Sequence, residues 1–348
     1  MPEIPKPEPI NGNFTGQDVV SIEQFERSDV QRLFHEAEAM GVLERAQGEE
    51  YDELPDGSKL LEGKRLANLF YEPSTRTSSS FVAAHQALGG DVNSINEVNY
   101  SSVAKGEDLE DTVRTLEQYA HTIVLRHKEV GSAALAAAAI NIPLINAGDG
   151  VGEHPTQALL DLFTINEERG HVDNLKVTMI GDLKNGRTVH SLARLLSMYD
   201  AQLNYVSPAS LVMPQGLVNE LDDVGVKQYH TTELDEVLPE SDVLYVTRVQ
   251  KERFDDPAEY DVVQGSYVIT PETMKRAPED MVLMHPLPRV GEIDKRVDYD
   301  PRAAYFRQMK YGLHIRMAIL ALVSGKTLLK ENIEKVNLVE QADLVESY

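Results

Sequence analysis

Phe70-Tyr-Glu-Pro-Ser-Thr-Arg-Thr77 joins a run of strand length to a segment that reads as a helix, with a cluster of anion-binding groups at the joint. The stretch 67–71 is largely apolar and short enough for one strand. Pro73 stops it, and Ser74 and Thr75 are residue types favoured at a helix N-cap. The first turn of the helix that follows leaves unpaired N–H groups at the positive end of its dipole. Two hydroxyls and the Arg76 guanidinium add charge-assisted donors there, so the joint suits a dianionic oxyanion such as a phosphate. Taken alone, Ser-Thr-Arg-Thr is more often an ordinary capped helix with a surface arginine. Its meaning depends on whether anion-handling residues close other strands.

Working outward, apolar runs at 66–71, 123–126 and 143–146 alternate with helical spacing at 78–89, 108–120 and 131–140. After a helix over 154–169, a second series places strands at 176–181, 202–207, 242–247, 267–269 and 282–285, and a strong helix over 305–323 closes the pattern. Alternation of this kind predicts an α/β protein with two doubly wound parallel sheets, whose functional ends are the carboxyl ends of the strands. The proline-rich residues 1–17 are expected to form a flexible arm, residues 18–41 a helix, and residues 47–59 a polar link. The expected domains are 18–153 plus 305–348, and 154–304.

Composition narrows the function. At 348 residues the chain has enough material for two cores, and it contains no cysteine, which removes disulfides, thiolate metal sites and a cysteine nucleophile. The formal charge of −24 opposes nonspecific binding to nucleic acid or an acidic membrane. The polar start of the chain and the lack of an apolar run of spanning length predict a soluble, cytoplasmic protein.

Further motifs follow in order: Ser101-Ser-Val-Ala-Lys-Gly-Glu107, Leu125-Arg-His127, Asn146-Ala-Gly-Asp-Gly150, His154-Pro-Thr-Gln-Ala-Leu-Leu-Asp161, Gly181-Asp-Leu-Lys-Asn-Gly-Arg-Thr188, Thr247-Arg-Val-Gln-Lys-Glu-Arg253, His285-Pro-Leu-Pro-Arg289 and Asp300-Pro-Arg-Ala-Ala-Tyr-Phe-Arg-Gln308. This ordered set resembles the catalytic chain of the aspartate carbamoyltransferase family from about residue 21 to residue 323. Ser74-Thr-Arg-Thr-Ser-Ser-Ser-Phe81 and Asp149-Gly-Val-Gly-Glu-His-Pro155 look most like the form found in the multifunctional pyrimidine polypeptides of animals and fungi.

The resemblance implies a site residue by residue. Ser74, Thr75, Arg76 and Thr77 would hold the phosphate of carbamoyl phosphate, while Thr77, Arg126 and His154 would donate to its carbonyl oxygen. Gln157 and the backbone carbonyls around Pro286, Leu287 and Pro288 would accept from the carbamoyl NH2 and the attacking amine, with the Leu287–Pro288 bond cis. Arg187, Arg248 and Gln250 would grip the two carboxylates of L-aspartate, with Lys105 also on that substrate. Ser101 and Lys105 would reach in from a neighbouring subunit of a homotrimer. Glu72, Lys184 and Glu252 read as partners in domain closure. Ser78 stands where many bacterial members carry a basic residue, which implies altered subunit contacts. No metal and no cofactor is implied, and a regulatory chain or a dihydroorotase as outside partner stays open.

Three other readings compete with this one. Gly181-x-x-x-x-Gly186-Arg187-Thr188 is a nucleotide P-loop but for its missing lysine, and Arg187 suits a planar carboxylate better. An ornithine-type carbamoyltransferase would carry His-Cys-Leu-Pro where this chain has His285-Pro-Leu-Pro288. A catalytically silent scaffold would have lost some of the anion ligands.

Overall fold

The computed structural model describes residues 4–46, 59–96, 106–150, 152–249, 263 and 265–329. The chain divides into two compact units, Met1–Thr156 with Tyr311–Tyr348, and Gln157–Lys310.

In the first unit, β1 (Arg65–Phe70), α2 (Thr75–Ala87), β2 (Asp91–Ile95), α3 (Leu109–Glu117), β3 (Thr122–His127), α4 (Ser132–Ala138) and β4 (Leu144–Asp149) follow α1 (Arg27–Ala46). The sheet is parallel throughout, in the order β2-β1-β3-β4. β1, β3 and β4 are buried along almost their whole length, as strands covered on both faces must be. β2 is an exposed edge strand with no apolar run, which is why no strand was expected there. The direction of strand succession reverses between β1 and β3.

Two expectations are corrected at the start of the chain. The helix expected over 18–41 begins only at Arg27 and runs to Ala46. Val19 is taken up by the sheet instead, bridging Ile145, with its N–H on the Leu144 carbonyl at 2.8 Å. Ser21 then caps a single 3-10 turn, Ile22–Gln24. The flexible arm over 1–17 is likewise docked from Ile10 onward. Ile10 and Phe14 are each 1% exposed, Phe14 packs on Phe25, and Gly16 donates to the Val323 carbonyl at 2.9 Å. Two apolar anchors four residues apart outweigh the proline-rich composition before them. The link at 47–59 lies almost wholly outside the described residues.

The second unit carries β5 (Lys176–Ile180), α6 (Arg187–Leu196), β6 (Gln202–Val206), α7 (Gln215–Asp223), β7 (Gln228–Thr231), β8 (Val243–Val246), α8 (Pro271–Arg276) and β9 (Val282–Met284). Its parallel sheet has the order β7-β6-β5-β8-β9, with the reversal between β5 and β8. β7 is again a polar edge that the sequence did not announce. The strand expected at 267–269 reduces to one bridge, Ile269 to Ile293, because Thr270 forms a capping box that starts α8. Two helices cross the division between the units, α5 (Pro155–Arg169) and α9 (Arg307–Val323).

Candidate active site

In doubly wound sheets ligands bind beyond the carboxyl ends of the strands, where the strand order reverses. In the first unit that point lies between β1 and β3. Phe70 pairs with Arg126 there, and the Tyr71 N–H donates to the Arg126 carbonyl at 2.9 Å. Ser74 occupies the N-cap of α2, but its hydroxyl makes no capping bond. Thr75 and Arg76 are exposed on the first turn, and Thr77 is buried. Arg126 is nearly buried and braced on two sides, with Nε 3.4 Å from Glu72 and Nη1 donating to the Ala147 carbonyl at 3.1 Å. Glu72 therefore has a partner inside its own unit.

β4 leads to the third group, His154, which is buried just before α5, with Nδ1 3.5 Å from the Thr156 hydroxyl. The approach to it is held by carboxylates. Asp149 accepts from the Gly131 and Glu153 N–H groups at 2.8 and 2.7 Å, and Glu153 accepts from the Ser21 hydroxyl and the Ile22 N–H at 2.6 and 2.9 Å. Ser78 points inward, accepting from Asn68 at 2.9 Å and donating to Asn96 at 3.1 Å, so it serves packing within the chain.

The second unit repeats the arrangement between β5 and β8. Gly181 ends β5 at φ +119°, and a Cβ there would lie 2.2 Å from the Thr247 carbonyl oxygen, so only glycine allows the two strand ends to approach so closely. Arg187 opens α6 beyond β5, and Arg248 stands two residues past the end of β8; both are half-buried. The turn between Gly181 and Gly186 is no phosphate cradle, since the buried Asp182 carboxylate already accepts the Asn185 N–H at 2.9 Å. Lys184 is exposed. β9 leads to Pro286, Leu287 and Pro288; the Leu287–Pro288 peptide is cis and Leu287 has φ +55°. Ser101, Lys105, Gln250 and Glu252 lie outside the described residues.

Two groups that sequence reasoning did not single out shape this half. His285 accepts the Leu287 N–H on Nδ1 at 2.8 Å, which places its proton on Nε2, 2.7 Å from Glu292. Burial holds the His285 imidazole below its usual range, against the pull of the Glu292 carboxylate and with help from the Arg248 charge. Burial alone would raise Glu292, but bonds from His285 and from backbone N–H groups outweigh it and bring the carboxyl down to about 2. Both folded-state values thus lie below the unfolded ones. The pair's stabilisation is complete above about pH 6.5, begins to fall as the unfolded imidazole protonates, and is lost further between about pH 4.5 and 2. Denaturant melts of the native protein should show this acid loss, on the order of 3 kcal/mol at the carboxyl, and Glu292→Gln should flatten it. An unchanged slope in that variant would contradict the assignment. The second group is a buried carboxylate, Asp161, four residues after Gln157 on α5. Its spacing was visible, but its other partners lie far away in sequence.

Among the described residues no cluster of three or more His, Cys, Asp or Glu side chains could hold a metal ion, and no helix is long and apolar enough to cross a membrane. Residues 17–167 match the aspartate/ornithine carbamoyltransferase carbamoyl-P binding domain, and residues 173–323 match the Asp/Orn binding domain of the same family. The chain belongs to the aspartate/ornithine carbamoyltransferase family. Within it, the chain is 53% identical over 315 residues to the multifunctional protein pyr1-3 of Dictyostelium discoideum, covering 90% of this chain but 14% of that protein. It is 47% identical to the aspartate carbamoyltransferase catalytic subunit of Methanopyrus kandleri, covering 90% and 99%. The Trypanosoma cruzi aspartate transcarbamoylase solved with N-(phosphonacetyl)-L-aspartic acid superposes with a TM-score of 0.82 at 45% identity, over 90% of this chain and 98% of that one. The family's two domain types thus fall one on each sheet.

Proposed function

We propose that the chain is an aspartate carbamoyltransferase, transferring the carbamoyl group of carbamoyl phosphate to the amine of L-aspartate in de novo pyrimidine synthesis. The observation that carries this reading is the Ser74–Thr77 turn set beside the braced Arg126 at the strand reversal of the first sheet. Ser74, Thr75, Arg76 and Thr77 hold the phosphate. Thr77, Arg126 and His154 donate to the carbonyl oxygen and stabilise the charge that grows there. The amine nitrogen attacks the carbonyl carbon, the bond from that carbon to the phosphate oxygen breaks, and the departing phosphate takes the amine proton, so no side-chain base is needed. Gln157 and the carbonyls of Pro286 and Leu287 accept from the carbamoyl NH2 and from the amine. Arg187, Arg248 and Gln250 take the two carboxylates, which favours aspartate over ornithine. Lys105, with Ser101, enters from a neighbouring subunit of a homotrimer in the cytoplasm.

Purified protein given carbon-labelled carbamoyl phosphate should form labelled N-carbamoyl-L-aspartate with aspartate, at a rate unchanged by chelator, and should run in solution at three times the chain mass. Preference for ornithine, or loss of turnover with chelator, would overturn the assignment.

A further inference from the structure

Asp161 is fully buried in the second unit, and three donors converge on its two oxygens. The Gln157 amide nitrogen lies 2.8 Å from Oδ1, the Gln308 amide nitrogen 2.6 Å from the same oxygen, and the Tyr245 hydroxyl 2.7 Å from Oδ2. A carboxylate only accepts, so each glutamine must turn its NH2 toward it. The orientation of Gln308 is fixed a second time, because its carbonyl oxygen accepts the His285 N–H at 3.1 Å, at the head of the Pro286-Leu287-Pro288 turn. For Gln157 the consequence is directional: its nitrogen is committed inward, and its carbonyl oxygen is the end left to face a ligand.

We infer that Asp161 is a positioning residue, which makes Gln157 an acceptor for the carbamoyl NH2 and ties that acceptor, through Gln308, to the turn after β9. The inference rests on the carbamoyl-transfer reading for the identity of the NH2, and on the hydrogen bonds alone for the direction of the amide. A freely rotating Gln157 would present its own NH2 half the time, donor against donor, and an unpaired buried amide is costly.

The decisive variant is Gln157→Glu. A glutamate accepts from the carbamoyl NH2 as well as glutamine does, and the repulsion of its own charge from the anionic substrate is the same in an Asp161→Asn background, so the part of the loss that disappears in that background is the part due to Asp161. Placed against Asp161, it sets two carboxylates within hydrogen-bond distance, where one must bind a proton. Turnover is expected to fall at least tenfold at pH 8 and to recover in part as the pH drops toward 6. Asp161→Asn should stay within about threefold of the native rate, because its carbonyl oxygen still accepts both amides while its NH2 donates to Tyr245. Asp161→Leu should lose roughly 10- to 100-fold in kcat/KM, and no more than that when added to Gln157→Ala, since the two act as one unit. Native-like turnover of Gln157→Glu at pH 8, or losses for Asp161→Leu and Gln157→Ala that multiply, would overturn the inference. If the native protein itself fails to carbamoylate aspartate, the functional reading falls instead. Should Asp161→Leu not fold, the pH profile of Gln157→Glu with and without Asp161→Asn still decides.

Discussion

Arg126→Ala should lower the turnover number by about 100- to 1,000-fold, the range seen when one preorganised oxyanion donor is removed. The expectation follows from how the guanidinium is held. The Ala147 carbonyl and the Glu72 carboxylate hold the guanidinium before any substrate arrives, so it needs little reorganisation as charge builds on the carbonyl oxygen. Arg126→Lys should recover little, because a single ammonium cannot satisfy Glu72 and Ala147 while also donating outward. Arg76, exposed on the first turn of α2, has a different character. Its removal should chiefly raise the carbamoyl phosphate requirement, as loss of a phosphate partner does. Steady-state kinetics with carbamoyl phosphate varied at saturating aspartate separate the two. An Arg126→Ala enzyme with native kcat and only a raised KM would remove it from the oxyanion role.

Much of this was legible because burial and chemistry coincide at the strand ends. β1, β3, β4, β5, β6 and β8 are largely apolar runs, and motif residues lie at or just beyond the carboxyl ends of all of them but β6. What could not be read had little apolar signal or depended on distant partners. β2 and β7 sit at sheet edges, where alternating exposure leaves no run to recognise. Residues 10–17 look like a loose tail in composition and Val19 like the start of a helix, yet Ile10 and Phe14 fill the first core and Val19 extends its sheet beside β4. The Asp161 network joins positions 84 and 147 residues apart, and only its Gln157 leg has helical spacing. The His285–Glu292 pair is close in sequence, but nothing in composition says that the imidazole points inward to cap the Leu287 N–H.

Arg248→Ala and Arg187→Ala should each raise the KM for aspartate by roughly 10- to 100-fold, the loss expected for a charge-assisted bond of about 1.5–3 kcal/mol. Carbamoyl phosphate binding should stay near native, since neither residue belongs to the unit that carries the Ser74–Thr77 turn. Arg187 opens α6 after β5 and Arg248 lies just past β8, two strands whose ends are held together where Gly181 meets Thr247, with the Thr247 N–H bonding the Ile180 carbonyl at 2.8 Å. Arginines supplied from beyond two neighbouring strands suit one dicarboxylate gripped at both ends, with one guanidinium on each carboxylate. If so, the double variant should lose close to the product of the two single losses, because each removes a separate contact. If both instead hold the same carboxylate, the second removal should add little. Gly181→Ala tests the geometry without touching charge: a Cβ forces the strand ends apart, so aspartate KM should rise while the carbamoyl phosphate requirement does not. A Gly181→Ala enzyme that bound aspartate normally would show that the approach of β5 and β8 serves packing alone.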